Sequence, residues 1–474
     1  MGCDGAGELL LRSLFAALLV AGCGRINFGV TASNTEIDAL VPQPGTVLGV
    51  ATCGGVGVSC RVRETCAHPS GELTVVGSLA GTGSATFGAH LVEVSGTGGV
   101  FVARLDQAGD PRWVRTFDNR GAVANEAFEC TALSDDVVVV GRFHTMIDFG
   151  LGSVTANGSN DGFVTRIDSA GTTRWARGVG STGADAATAV TANATGDVVV
   201  IAAHSAAFTM DGVTLAHAGS VDVATLAFDA ATGVVKTGWS AGTVGYEEIH
   251  GAAGDPRGRF HVVGHAQGGG LDLGAGPMVG AGGYDLVIGS FADPMTHRWS
   301  RLIGGPGDEY GAAIAVDRQD RLYIVGTAQD QVDFGTGPLP ASGPSDGFVA
   351  SLADDGATSW ATLLGGAGED AVNAVLVHAD TLYVAGLFTG TLTHGAITLD
   401  ASDAVDAFVL AMDLDGTPRW AHGFGGAGTD RAVALAVTGG GELVVGVSLD
   451  GDLVVSGQVI SATATDFAWV RFAP

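Results

Sequence analysis

Leu322-Tyr323-Ile324-Val325-Gly326, an apolar strand closed by glycine, returns along the whole chain. It recurs as Leu73-Thr74-Val75-Val76-Gly77, Val137-Val138-Val139-Val140-Gly141, Phe260-His261-Val262-Val263-Gly264 and Leu382-Tyr383-Val384-Ala385-Gly386. Degenerate copies are Val198-Val199-Val200-Ile201-Ala202 and Leu443-Val444-Val445-Gly446, so seven copies stand 60 to 64 residues apart. A period of that length, holding several strands per copy, belongs to a closed or stacked array of repeats.

A second phrase follows each first one: Asp161-Gly162-Phe163-Val164, Asp346-Gly347-Phe348-Val349 and Asp406-Ala407-Phe408-Val409, with weaker copies from Gly99, Asp222, Asp285 and Asp466. A tryptophan comes next, after a polar turn, at Trp113, Trp175, Trp239, Trp299, Trp360 and Trp420, in register and so read as blade core. Glycine loops such as Gly304-Gly305-Pro306-Gly307 separate the units, and an Ala/Val-rich run follows each. Every unit thus holds four strand-sized runs bounded by turn residues, without helical periodicity. Runs such as Val137–Val140 are apolar at successive positions and need cover on both faces. The expected fold is all-β: a seven-bladed propeller of four-stranded blades, each about 60 residues. The last unit ends at Phe467–Phe472 without a fourth strand, while Thr46–Ala51 is a strand without a unit. Pairing the two would close the ring and remove free sheet edges.

These units resemble the bacterial beta-propeller repeat SBBP: a glycine loop with an acid, an inner strand, the glycine-closed strand, Asp-x-Phe-Val and then Trp. The resemblance runs from about residue 46 to the end, is best around Tyr323 and Tyr383, and is eroded near Trp239. It implies a seven-bladed propeller on exported or cell-surface proteins, and it brings no active-site motif.

Residues 1–23 read as a targeting segment: the apolar run Leu14–Leu19 is too short to span a bilayer and ends in Val20-Ala21-Gly22-Cys23. That box resembles a bacterial lipoprotein cleavage site with Cys23 as the acylated residue, although Asp4 and Glu8 are unusual before such a run. An ordinary secretory signal and an acylation signal at Met1-Gly2-Cys3 are the alternatives. Residues 24–45 would be a tether and 46–474 the propeller. The expected location is the bacterial outer membrane or cell surface, or a periplasm-facing leaflet, with the lipid anchor as the sole membrane contact of a monomer.

Cys53, Cys60, Cys66 and Cys130 make an even set in an exported chain and suggest two disulfides, with three pairings open. A Cys66–Cys130 bridge between adjacent inner strands would leave Cys53–Cys60 as a clip beside the closing strand. The spacings lack a C-x-x-C pair, which argues against zinc.

The formal net charge is −28. Such a surface repels phosphate backbones, so nucleic acid is not an expected partner. Thirteen residues before their strand starts stand Asp185, Glu247, Glu309, Glu369 and Asp430. They would ring one rim, either binding Ca²⁺ or another hard cation, or capping their own glycine loops. No other cofactor is implied. His261 and His265 share a strand face, with His250 on the neighbouring strand, a possible metal trio in one blade. Gly343-Pro344-Ser345-Asp346-Gly347 fits G-x-S-x-G but lacks the strand-to-helix setting of a nucleophile elbow. With no catalytic constellation, the expected role is a non-catalytic binding or scaffold module for an extracellular protein or glycan. The alternatives are a lyase or hydrolase with its site at the channel mouth, in the irregular units from Trp175 to Trp299, and a cation-stabilised propeller.

Overall fold

A computed structural model describes residues 43–474 except 56, 95–97, 118–124, 194, 403–404, 456–457, 461–464 and 474. Cys23, with the targeting segment and most of the tether, lies outside the described residues.

The described chain is all-β and forms seven four-stranded antiparallel blades in a ring. Blade 5 shows the pattern: inner strand Glu309–Val316, then Leu322–Ala328, Asp346–Leu352 and outer strand Thr358–Leu364. The two middle strands are almost wholly buried, as the unalternating Val, Ile and Phe runs require. The cores lie between blades: Val263 and Ile288 of blade 4 pack with Ile324 and Phe348 of blade 5 in one cluster. In most blades a short hairpin such as Gln331–Asp333 with Pro338–Pro340 projects between the middle strands.

The ring closes with the N-terminal strand. Val47–Gly54 pairs antiparallel with the last strand, Thr465–Phe472, and so becomes the outer strand of blade 7. Gly45 N–H donates to the Ala473 carbonyl at 2.9 Å, so the ordered pairing begins inside the segment expected to be tether. Cys53 is bridged to Cys60 and Cys66 to Cys130. The first bridge joins the closing strand to the inner strand of blade 1, Val58–Ala67, and the second ties that strand to the inner strand of blade 2, Glu126–Leu133.

Neighbouring blades are also latched by tryptophan. Trp113, Trp175, Trp299 and Trp360 each donate their indole N–H to a turn carbonyl of the next blade, at Ser169, Ala230, Asp354 and Leu414, over 2.7–3.1 Å. The tryptophans are therefore blade-to-blade contacts rather than the interior of a single blade.

Candidate functional site: the central channel

Every inner strand breaks its ladder at the same place. The register skips one residue at Arg63, Phe128, Thr188, His250, Ala312, Asn373 and Val433, a β-bulge in each of the seven blades. A bulge re-aims its extra residue. Here six of the seven line a central cavity of about 990 Å³, and the seventh, Thr188, is buried. The bulge also explains the glycine that ends the repeated strand. A Cβ on Gly77, Gly141, Gly264, Gly326 or Gly386 would lie about 2 Å from a carbonyl of the bulged strand, at Arg61, Glu126, Glu248, Tyr310 or Ala371. In these five blades the missing Cβ permits that approach, while blade 3 carries its bulge opposite Ala202.

The channel is chemically lopsided. One residue beyond the bulge, five blades carry Ala189, Gly251, Ala313, Ala374 and Ala434, whereas blades 1 and 2 carry Glu64 and Glu129. Glu64 accepts the Thr65 N–H at 2.6 Å, and Glu129 accepts the Val190 N–H of blade 3 at 3.1 Å. Burial pushes the Glu64 carboxyl up to about 7. The Glu129 carboxyl is held well above the carboxylate range by burial first and the nearby Glu64 charge second. Asn373 spans to the next blade, donating to the Ala432 carbonyl at 3.0 Å. These side chains occupy backbone groups that the inner edge of each blade leaves unpaired.

At the mouth, blades 7, 1 and 2 present arginine. Arg61, Arg63 and Arg431 line the cavity. Arg63 and Arg142 lie 5.9 and 5.5 Å from the centre of the Phe128 ring, and Glu126 bonds Arg142 at 2.8 Å with Arg63 at 3.9 Å. Across the mouth, blade 4 presents histidine. His250 Nε2 lies 3.1 Å from His265 Nδ1, and one ligand atom from each of Glu248, His250 and His265 falls within 4.8 Å of the others. Tyr246, Tyr284 and Tyr310 pack around His265 with ring centres 4.9–5.8 Å away. His261 is elsewhere, fully buried beside Asp255 at 3.3 Å, so the structure brings together two of the three histidines expected and adds Glu248.

Residues 298–330 match the sequence model of the family described as SBBP, beta-propeller repeat. The chain is a seven-bladed β-propeller that carries this repeat. In this propeller the matched segment runs from the outer strand of blade 4 to the second strand of blade 5, so sequence repeat and structural blade are offset, as strand-exchange closure requires. No curated protein matches the propeller's sequence. It is similar to the Pan2 WD40 domain of Neurospora crassa, with 9% identity, TM-score 0.43, and coverage of 89% of this chain and 96% of that one. Sqt1 from Chaetomium thermophilum gives 11% identity and TM-score 0.39 over 88% and 97% of the two chains. A quinohemoprotein alcohol dehydrogenase from Pseudomonas putida gives 9% and 0.37 over 87% and 76%. Likeness at these levels carries no argument about the propeller's function.

The acids singled out by spacing sit in the glycine loops. Asp185, Glu247, Glu309 and Asp430 are buried and accept backbone N–H bonds from Ser181, Thr243, Gly305 and Gly426 at 2.5–3.2 Å. Glu369 is exposed, and Asp370 takes the corresponding place, accepting from Gly366 and Thr389 at 2.7 and 3.0 Å. The cause is a shorter hairpin: Val377 pairs with Leu382, whereas Val316 pairs with Leu322, so counting back thirteen residues overshoots by one. Each loop acid also faces the aspartate opening the third strand of the preceding blade. Burial, reinforced by Asp285, raises Glu309 to about 7, and burial, reinforced by Asp406, raises Asp430 to about 6. Ser345 stands in a turn leading into the strand Asp346–Leu352, with no helix after it.

Proposed function

We propose that the propeller is an exported module, lipid-anchored at Cys23, that binds a carboxylate-bearing extracellular ligand, glycan or protein, at the channel mouth without transforming it. The supporting observation is the arginine arc at the mouth, Arg63 and Arg142 over the Phe128 ring with Arg61 and Arg431 also lining the cavity, set against Glu126 and Asp450 in a chain of net charge −28. Guanidinium groups form paired hydrogen bonds to carboxylates, which a lysine would not reproduce. At physiological salt the acidic surface is screened beyond about 8 Å, so the local arginines set recognition inside the mouth.

Calorimetric titration with an acidic oligosaccharide and with an acidic peptide tests this reading. Binding of either, weakened at least tenfold in Arg63→Ala/Arg142→Ala and reduced by salt, supports it. Binding of neither, or binding indifferent to the double variant, refutes it. The anchor is tested separately: Cys23→Ser moves the protein from the membrane fraction to the soluble one, and retention in the membrane contradicts it.

One observation favours a channel enzyme as the second reading. Glu64, raised to about 7 and lining the cavity, has the protonation range of a general acid. Turnover of an acidic polysaccharide that is lost in Glu64→Gln, with binding retained, would establish it. Binding without turnover would dismiss it.

A further inference from the structure

Blade 4 carries a donor set that the arginine arc does not use. Glu248 and His265 are cross-strand partners, and His250 is the bulge residue beside them. Residues two apart in a strand share a face, so His250 stands on the face of Glu248, and its bulge position sets it against His265, with rings stacked 5.0 Å apart. Glu248 is held from behind by the Tyr246 hydroxyl, which donates to Oε2 at 2.6 Å. His265 is buried, with its Nδ1 3.1 Å from His250 Nε2. His250 is accessible and lines the cavity, which gives an ion a way in.

We propose that Glu248, His250 and His265 form a binding site for one divalent transition-metal ion of the zinc type. Two imidazoles with one carboxylate suit zinc, cobalt, nickel or copper and are poor donors for calcium or magnesium, which prefer oxygen alone. Three protein ligands leave at least one coordination position, on the side where His250 meets the cavity, for water or an oxygen donor of a bound molecule. Tyr246 is a positioning residue that orients the carboxylate from behind. The site draws no ligand from the arginine arc, and either proposal can fail while the other stands.

The test titrates the full-length protein, stripped with chelator, with Zn²⁺ and separately with Co²⁺, Ca²⁺ and Mg²⁺. Expected are one tight Zn²⁺ per chain, a visible d–d spectrum with Co²⁺, and no matching uptake of Ca²⁺ or Mg²⁺. His250→Ala removes an accessible side chain whose ring contact is with His265, and Glu248→Gln keeps size and polarity. Each should lower Zn²⁺ affinity at least a hundredfold with unchanged thermal unfolding of the metal-free protein. Tyr246→Phe should lower it about tenfold, and His378→Ala, at an exposed hairpin, should leave it unchanged. Absence of stoichiometric Zn²⁺ binding, or binding that survives both His250→Ala and Glu248→Gln, overturns the proposal.

Discussion

The indole of Trp420 lies against Gly45: a Cβ on that glycine would come within 2.8 Å of the ring. Trp299 and Gly356 have the same relationship inside the ring, as do Trp175 and Gly233. The N-terminal strand therefore completes blade 7 as seen from blade 6, with the contact that Trp113 makes with Gly171 and Trp360 with Gly416. Gly45 has φ of +80°, so a larger residue there is strained as well as crowded. Gly45→Ala should destabilise the fold by about 1–3 kcal/mol, read as a drop in the denaturant midpoint. An unchanged midpoint would mean that the closing strand is dispensable.

The two disulfides should differ in weight. Cys66–Cys130 closes a loop of sequence separation 64 and Cys53–Cys60 one of 7. By loop-closure entropy their removal costs about 4 and about 2.5 kcal/mol respectively. Cys66→Ser/Cys130→Ser should therefore unfold at lower denaturant than Cys53→Ser/Cys60→Ser. The reverse order would show that fastening the closing strand outweighs loop entropy.

The loop acids predict an unusual pH response, tested at Glu309. Glu309 is raised from its ordinary 4.5 to about 7, so the folded protein holds a proton there that the unfolded chain releases. Its contribution to stability falls as pH rises from about 4.5 through 7. Glu309→Gln cannot ionise, so its melting temperature relative to the unaltered protein should climb by about 1–3 °C between pH 5 and pH 8. A flat difference contradicts the shift. Calcium and chelator should leave both melting temperatures alone, because each of these loop carboxylates already accepts a backbone N–H, Glu309 through Oε2 from Gly305. A calcium-induced rise that Glu309→Gln abolishes would make the acid ring a cation site instead.

Much of this architecture is visible in the sequence because each blade repeats it. The starts of the middle strands fall at Leu73, Val198 and Leu322, where the apolar runs begin, and the spare strand near Thr46–Ala51 is the closing strand. The channel is harder to read. Its lining depends on a bulge that carries no composition of its own: Arg63, Phe128, His250 and Asn373 have only position in common. The trace of the bulge lies on the partner strand, in glycines such as Gly141 and Gly326, whose lack of a Cβ admits the bulged backbone. Read that way, the repeated glycine points across the ladder to the channel residue. Glu64 and Glu129 likewise stand out only beside the Gly or Ala of the other five blades at that level. The displacement of Glu369 by Asp370 shows how one missing turn residue moves a site.

Recognition at the channel mouth should leave its mark on the inner strands, and hydrogen exchange of the full-length protein, with and without whichever acidic ligand binds in titration, reads it out. Slowed exchange is predicted in Arg61–Cys66 and Phe128–Cys130, which line the cavity, with the outer hairpins such as Thr391–His394 unaffected. Slowing confined to those hairpins, with the inner strands unchanged, would contradict it.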